Sequence, residues 1–167
     1  MKIFLIGMMG SGKTYWAKQL SQYYQIAWID LDNSIEQLNN CSINTIFETK
    51  GEIYFREQEQ IALHQTANTN NLIIATGGGT PCFHDNMQWM NEQGITIFLN
   101  ENIEVLAERL MRKKEHRPLI KFFNKNELLN FLKQKIADRE VFYQQAKYTL
   151  HYPTISMQSF DVIFQKK

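Results

Sequence analysis

The sequence predicts an α/β protein with a doubly wound, five-stranded parallel sheet. Three observations point there. Short apolar runs recur along the 167 residues between longer amphipathic segments, the alternation of open parallel sheets. Within those runs apolar and polar residues alternate little, as in strands buried on both faces. The first run leads directly into Gly7-Met8-Met9-Gly10-Ser11-Gly12-Lys13-Thr14, which fits the phosphate-binding loop G-x-x-x-x-G-K-[ST].

Each element has its own signal. Lys2–Ile6 reads as strand one and Ala27–Ile29 as a short strand two. Leu72–Ala75, Thr96–Leu99 and Tyr148–Leu150 supply strands three to five. A helical run from Tyr15 to Leu20 follows the glycine-rich loop, and helical patterns cover about 52–68, 84–93, 102–113, 126–146 and 156–166. The long region without a strand is 33–71, and a smaller cationic one lies at 112–125. One domain over 1–167 is expected, with a substrate-binding insertion at about 33–60 and a lid at about 112–124.

Composition narrows the classes. The chain is 44% hydrophobic and 21% charged, which argues against disorder. A net charge of +1 does not suggest a nucleic-acid or membrane-surface partner. Cys41 and Cys82 stand in unrelated segments, so a cysteine metal site is not expected and a reduced, cytoplasmic protein is the simplest reading. No cationic leader precedes an apolar stretch, and no apolar run approaches transmembrane length.

The glycine-rich loop supplies the chemistry. Its glycines let successive N–H groups face phosphate oxygens, and the following helix start adds partial positive charge. Lys13 is placed to reach the β- and γ-phosphates, and the Thr14 hydroxyl to sit on Mg²⁺. Asp30-Leu31-Asp32 closes strand two at the same sheet edge, where ligands of open α/β sheets bind. Its carboxylates suit Mg²⁺ and a substrate hydroxyl. The plainer reading is a strand end whose Asp32 or Asn33 caps a helix from Ser34 onward. Thr76-Gly77-Gly78-Gly79-Thr80-Pro81 follows strand three, with backbone that a ligand can approach closely.

Three further stretches are ambiguous alone. Arg56 and Glu59 in Phe55-Arg56-Glu57-Gln58-Glu59 have the spacing of an ordinary surface pair. His116-Arg117-Pro118-Leu119-Ile120 ends a cationic stretch that reads as a solvated helix end or as a cover over bound phosphate. Arg139 lies in a helical pattern. Asn124-Lys125-Asn126-Glu127 lacks the acidic fourth position and the preceding strand of a guanine-reading motif, and is read as coincidence.

Taken in order, the glycine loop, D-x-D at 30–32, F-R-x-x-E at 55–59, G-G-G at 77–79, R-P-L at 117–119 and R-x-x-x-Y at 139–143 resemble shikimate kinase. The resemblance runs from strand one to about residue 146. It implies a fold of nucleoside-monophosphate-kinase type and transfer of the γ-phosphoryl of ATP to the 3-hydroxyl of shikimate, in the route to chorismate and the aromatic amino acids. It further implies that Gly10, Ser11, Gly12, Lys13, Thr14, Tyr15 and Arg117 bind ATP, with Lys13, Asp32 and Arg117 catalytic. Thr14 would hold Mg²⁺, with Asp30 assisting through water. Asp32, Arg56, Gly78 and Arg139 would hold shikimate, and Arg109 or Arg112 would lie against adenine. A monomer with no nucleic-acid or membrane partner is implied. Ala17 and Asn40-Cys41 depart from glycines common in the family, and His151-Tyr152-Pro153-Thr154 matches its adenine loop weakly. Two other readings stay open: a kinase for another small acceptor, such as gluconate or a nucleoside monophosphate, and a nucleotide-binding module without turnover.

Overall fold

The structure is a computed structural model, and it describes residues 1–112 and 120–165. Strand β1 (Lys2–Ile6) runs into the glycine-rich loop and helix α1 (Lys13–Tyr24). Strand β2 (Ala27–Asp30) passes directly into α2 (Leu31–Asn39) and then α3 (Ile43–His64). After β3 (Leu72–Ala75) a single 3-10 turn at Thr80–Cys82 precedes α4 (Asn86–Gln93). Strand β4 (Ile95–Asn100), α5 (Ile103–Met111), α6 (Lys125–Tyr143), β5 (Tyr148–His151) and α7 (Met157–Gln165) complete the order.

The five strands are parallel in the order β2-β3-β1-β4-β5. β1 is central and wholly buried, and its side chains divide the core. Phe4 and Ile6 join Leu31, Ile46, Leu63, Met90 and Leu106 on one face. Ile3 and Leu5 join Trp16, Leu20, Ile97 and Phe160 on the other. The period-two alternation of a strand thus feeds two apolar layers, with α1 and α7 on one side and α2 to α6 on the other.

All five strands stand where the sequence reading puts them. The segment 33–71 carries no strand, as expected, but more helix than the 52–68 pattern, since it holds most of α2 and all of α3. Only Leu31 and Ile35 of α2 are buried, so its apolar face spans a single turn, too short to be visible as periodicity. Its cap is neither Asp32 nor Asn33: the Asp30 carboxylate accepts from Asp32 N–H at 3.1 Å. Asn40 ends the helix at φ 51, the left-handed conformation that Asn tolerates in place of a glycine. α3 starts before residue 52, capped by Ser42, and breaks at Gly51 with φ 77 and ψ 177. That break turns the second half of α3 so that Phe55, Arg56 and Glu59 face inward.

Candidate active site

The carboxyl ends of β1, β2 and β3 open into a cavity of about 600 Å³. The glycine-rich loop forms its floor. Ser11 N–H donates to Met8 O at 3.1 Å, which closes the turn. Lys13 Nζ curls back to Gly7 O at 2.8 Å and Met8 O at 2.9 Å, and so lies along the loop that it would leave for a phosphate. Thr14 Oγ1 donates to Asp30 Oδ2 at 2.7 Å. The other Asp30 oxygen caps α2, so one carboxylate fixes both the Thr14 hydroxyl and the helix carrying Asp32.

Asp32 is half-buried, and its pKa is raised from 3.8 to about 6. Burial is the main cause, followed by the nearby Asp30 and Glu59 carboxylates, with Lys13 opposing them. A carboxyl group so placed is ionised at neutral pH yet basic enough to accept a proton. Gly77 adjoins it closely: a Cβ there would come 3.1 Å from Asp32 Oδ1 and 2.8 Å from Glu59 Oε1.

Arg56 is buried and ion-paired twice. Its Nη1 donates to Glu59 Oε2 at 2.8 Å, and its Nε and Nη2 share Glu52 Oε1 at 3.2 and 3.0 Å. Glu59 is fully buried and also accepts from Thr80 Oγ1 at 2.5 Å. Phe83 covers the guanidinium at 4.2 Å from its ring centroid. The i,i+3 pair is therefore an interior clamp, not the surface pair that the spacing also allowed. Gly79 makes room for it, since a Cβ there would lie 2.8 Å from both guanidinium nitrogens Nη1 and Nη2.

Arg139 is half-buried beside Gly78, whose added Cβ would sit 3.1 Å from Arg139 Nη1. That nitrogen also meets Met8 Sδ at 3.7 Å. No ion pair to Arg139 is seen among the described residues. Tyr143, one turn on, donates to Gly78 O at 2.6 Å and locks the glycine segment against α6. Cys82 lies near Arg139 and Arg56, but burial raises its thiol to about 11, which keeps it protonated.

At the other end of the cavity, Arg109 Nη1 donates to Gly10 O at 3.1 Å, and its Nη2 pairs with Glu101 at 2.7 Å. Its guanidinium stands 5.2 Å from the Tyr152 ring centroid. Tyr152 donates to Ser11 O at 2.9 Å and accepts from Trp16 Nε1 at 2.7 Å. Tyr15 is largely exposed and lines the cavity, with Arg109 and Arg112.

The structure thus brings Gly10, Gly12, Lys13, Thr14, Tyr15, Asp30, Asp32 and Gly78 to one cavity, with Ser11 buried in the loop beneath. Arg56 and Arg139 stand behind the Gly77–Gly79 wall and do not line it. Arg117 and residues 113–119 of the expected lid lie outside the described residues. Of the Phe122-Phe123 pair, Phe123 packs on the core and against Phe131, while Phe122 is 87% exposed. Sequence reasoning assigned no role to Glu52, Glu59, Tyr143 or Tyr152. Glu59 and Tyr143 stood within its motifs and Tyr152 in the weakly matched adenine loop; nothing local marks Glu52.

A family model for shikimate kinase matches residues 9–165. The chain belongs to the shikimate kinase family. Among curated members it is 42% identical to the shikimate kinase of Bacteroides thetaiotaomicron over 147 residues, 88% of this chain and 84% of that one. It is 43% identical to that of Azobacteroides pseudotrichonymphae over 146 residues, 87% of this chain and 86% of that one. The crystal structure of the Bacteroides thetaiotaomicron enzyme matches at a TM-score of 0.88 and 38% identity, covering 99% of this chain and 95% of that one. Shikimate kinase from Acinetobacter baumannii, solved in complex with shikimate, matches at 0.88 and 28% identity, with 99% and 94% covered. Family membership makes ATP the co-substrate. Among the described residues no helix is long and apolar enough to cross a membrane.

Proposed function

We propose that this chain transfers the γ-phosphoryl of ATP to the 3-hydroxyl of shikimate, releasing ADP and shikimate 3-phosphate. The observation that carries the reading is the convergence of Lys13, the Thr14–Asp30 pair and Asp32 on one cavity at the carboxyl edge of the sheet. Phosphoryl transfer needs positioning and charge neutralisation more than covalent chemistry.

The residues divide the work. The loop N–H groups and Lys13 hold the phosphates, Lys13 exchanging Gly7 O and Met8 O for phosphate oxygens. The donor set at Thr14 and Asp30 suits Mg²⁺, which takes one or two protein oxygens and fills its shell with phosphate oxygens and water. Held by Thr14 and Asp30, Mg²⁺ would supply positive charge to offset that of the phosphates. Asp32 accepts the proton of the attacking hydroxyl as its oxygen bonds to phosphorus and ADP departs. Arg139 and Arg56 take the acceptor's carboxylate, through forks that match it, with Gly78 supplying backbone contact. Glu52 is the weaker partner of Arg56, being 58% exposed against 1% for Glu59, and it gives way. Arg117 completes the phosphate contacts. The reading keeps a monomer in the cytoplasm, where ATP is supplied.

The test is ADP release in the presence of shikimate, gluconate or nucleoside monophosphates. Turnover with shikimate alone is expected. Turnover only with another acceptor refutes the substrate assignment, and ATP binding without turnover on any acceptor points to a binding module.

A further inference from the structure

We propose that Tyr152 is a positioning residue for the phosphate-binding loop, its hydroxyl holding the Ser11 carbonyl so that the loop N–H groups face the nucleotide phosphates. The inference rests on the nucleotide reading of the cavity and not on the choice of acceptor. Tyr152 comes from the loop after β5, the far edge of the sheet from β2, and its backbone N–H is anchored to Asn100 O at 3.0 Å. Its hydroxyl is used in both senses. It donates to Ser11 O at 2.9 Å and accepts from Trp16 Nε1 at 2.7 Å. Trp16 is itself fixed in the first turns of α1 against Phe160, ring centroids 5.0 Å apart. A three-part relay therefore ties the loop to the helix it caps and to the opposite end of the sheet.

The fit at Gly12 supports this. Gly12 sits at φ +90, and a Cβ there would lie 2.8 Å from the Tyr152 hydroxyl oxygen. The phenol rests against the bare backbone at the entrance of α1. Burial raises its pKa, with Trp16 and Arg109 opposing, so the hydroxyl remains a donor at working pH. Arg109 holds Gly10 O in the same way. With the Gly10 and Ser11 carbonyls both engaged from outside the loop, the peptide planes are oriented before any ligand arrives. Pre-organisation of this kind favours binding by lowering the ordering cost.

Tyr152→Phe keeps the ring and removes the hydroxyl. Calorimetric titration with inorganic tripolyphosphate and with Mg·ADP separates phosphate contact from base contact. A hydrogen bond of ordinary strength predicts that Tyr152→Phe weakens both ligands by a similar, roughly 3- to 10-fold factor. The KM for ATP should rise by the same factor while the KM for the acceptor stays put, a split that general destabilisation would not produce. Trp16→Phe, which removes the donor to the phenol along with part of the ring packed on Phe160, should weaken tripolyphosphate in the same direction but less. Unchanged tripolyphosphate binding in Tyr152→Phe overturns the proposal, whether ADP weakens or not. If that variant does not fold, unchanged tripolyphosphate binding in Trp16→Phe overturns it instead. Neither titration contains an acceptor, so a failure to phosphorylate shikimate would leave this result distinct.

Discussion

Replacing Asp32 by Asn should make the protein more stable and nearly inactive. The folded state holds the Asp32 proton more tightly than the unfolded chain does, with a pKa of about 6 against 3.8. For a carboxyl shifted upward, stability falls as pH rises between those values, and above them the ionised group imposes its whole cost. At about 1.36 kcal/mol per pKa unit, that displacement corresponds to about 3 kcal/mol at most. Asn has nearly the same shape and no charge to desolvate beside Asp30 and Glu59. In a chain of this size each kcal/mol moves the melting temperature by roughly 2–4 °C, so the variant should melt higher at pH 8 by up to about 6–12 °C. The difference should close toward pH 4, where the wild-type carboxyl is itself neutral. Thermal unfolding followed by circular dichroism at the two pH values measures it. Turnover should drop about 10²- to 10⁴-fold, the usual worth of a general base. A variant less stable than wild type at pH 8, or an advantage independent of pH, would show that Asp32 is not held at an electrostatic cost.

Four other outcomes are expected. The pH profile of kcat/KM should rise through about pH 6 as Asp32 ionises, a limb missing from the residual activity of Asp32→Asn. Lys13→Ala should abolish most turnover while leaving a folded protein by circular dichroism; near-normal rates would remove Lys13 from the mechanism. Arg56→Ala and Arg139→Ala should each weaken acceptor binding about 10- to 100-fold, the range for a charged hydrogen bond, with ATP affinity little changed. Glu52→Gln should lower the KM for the acceptor, because Glu52 competes for Arg56 Nε and Nη2; a raised KM would instead make Glu52 a support for the arginine.

The parts of this site that read from sequence are those built by neighbours in the chain. The glycine loop, Lys13 and Thr14 form one continuous segment, and a strand before it and a helix after it confirm the pattern. Asp30 and Asp32 were visible because they follow an apolar strand run, but β2 stops at Asp30, and that Asp30 rather than Asp32 or Asn33 caps α2 depends on a hydrogen bond the spacing does not announce. Arg56 shows the limit more sharply. Its spacing to Glu59 suits a surface pair equally well, and only the break at Gly51 together with the Gly79 approach turns it inward. Tyr152 stood in a weakly matched adenine loop, but nothing local announced its bond to Ser11, which stands 141 positions away. Contacts of that range are decided by the crossing order of the strands, which local patterning does not reveal. α2 was foreseen only as the plainer alternative at the end of strand two, because two buried residues in one turn are too few to establish a period.

The most direct measurement of the central claim is the nature of the phosphorylated product. Purified protein, Mg·ATP and shikimate should yield ADP and one new phosphate ester in equal amounts. The ³¹P resonance of that ester should couple to the proton on carbon 3 of the ring. Release of ADP without a shikimate ester, or coupling of the new phosphorus to a different ring proton, would contradict the account.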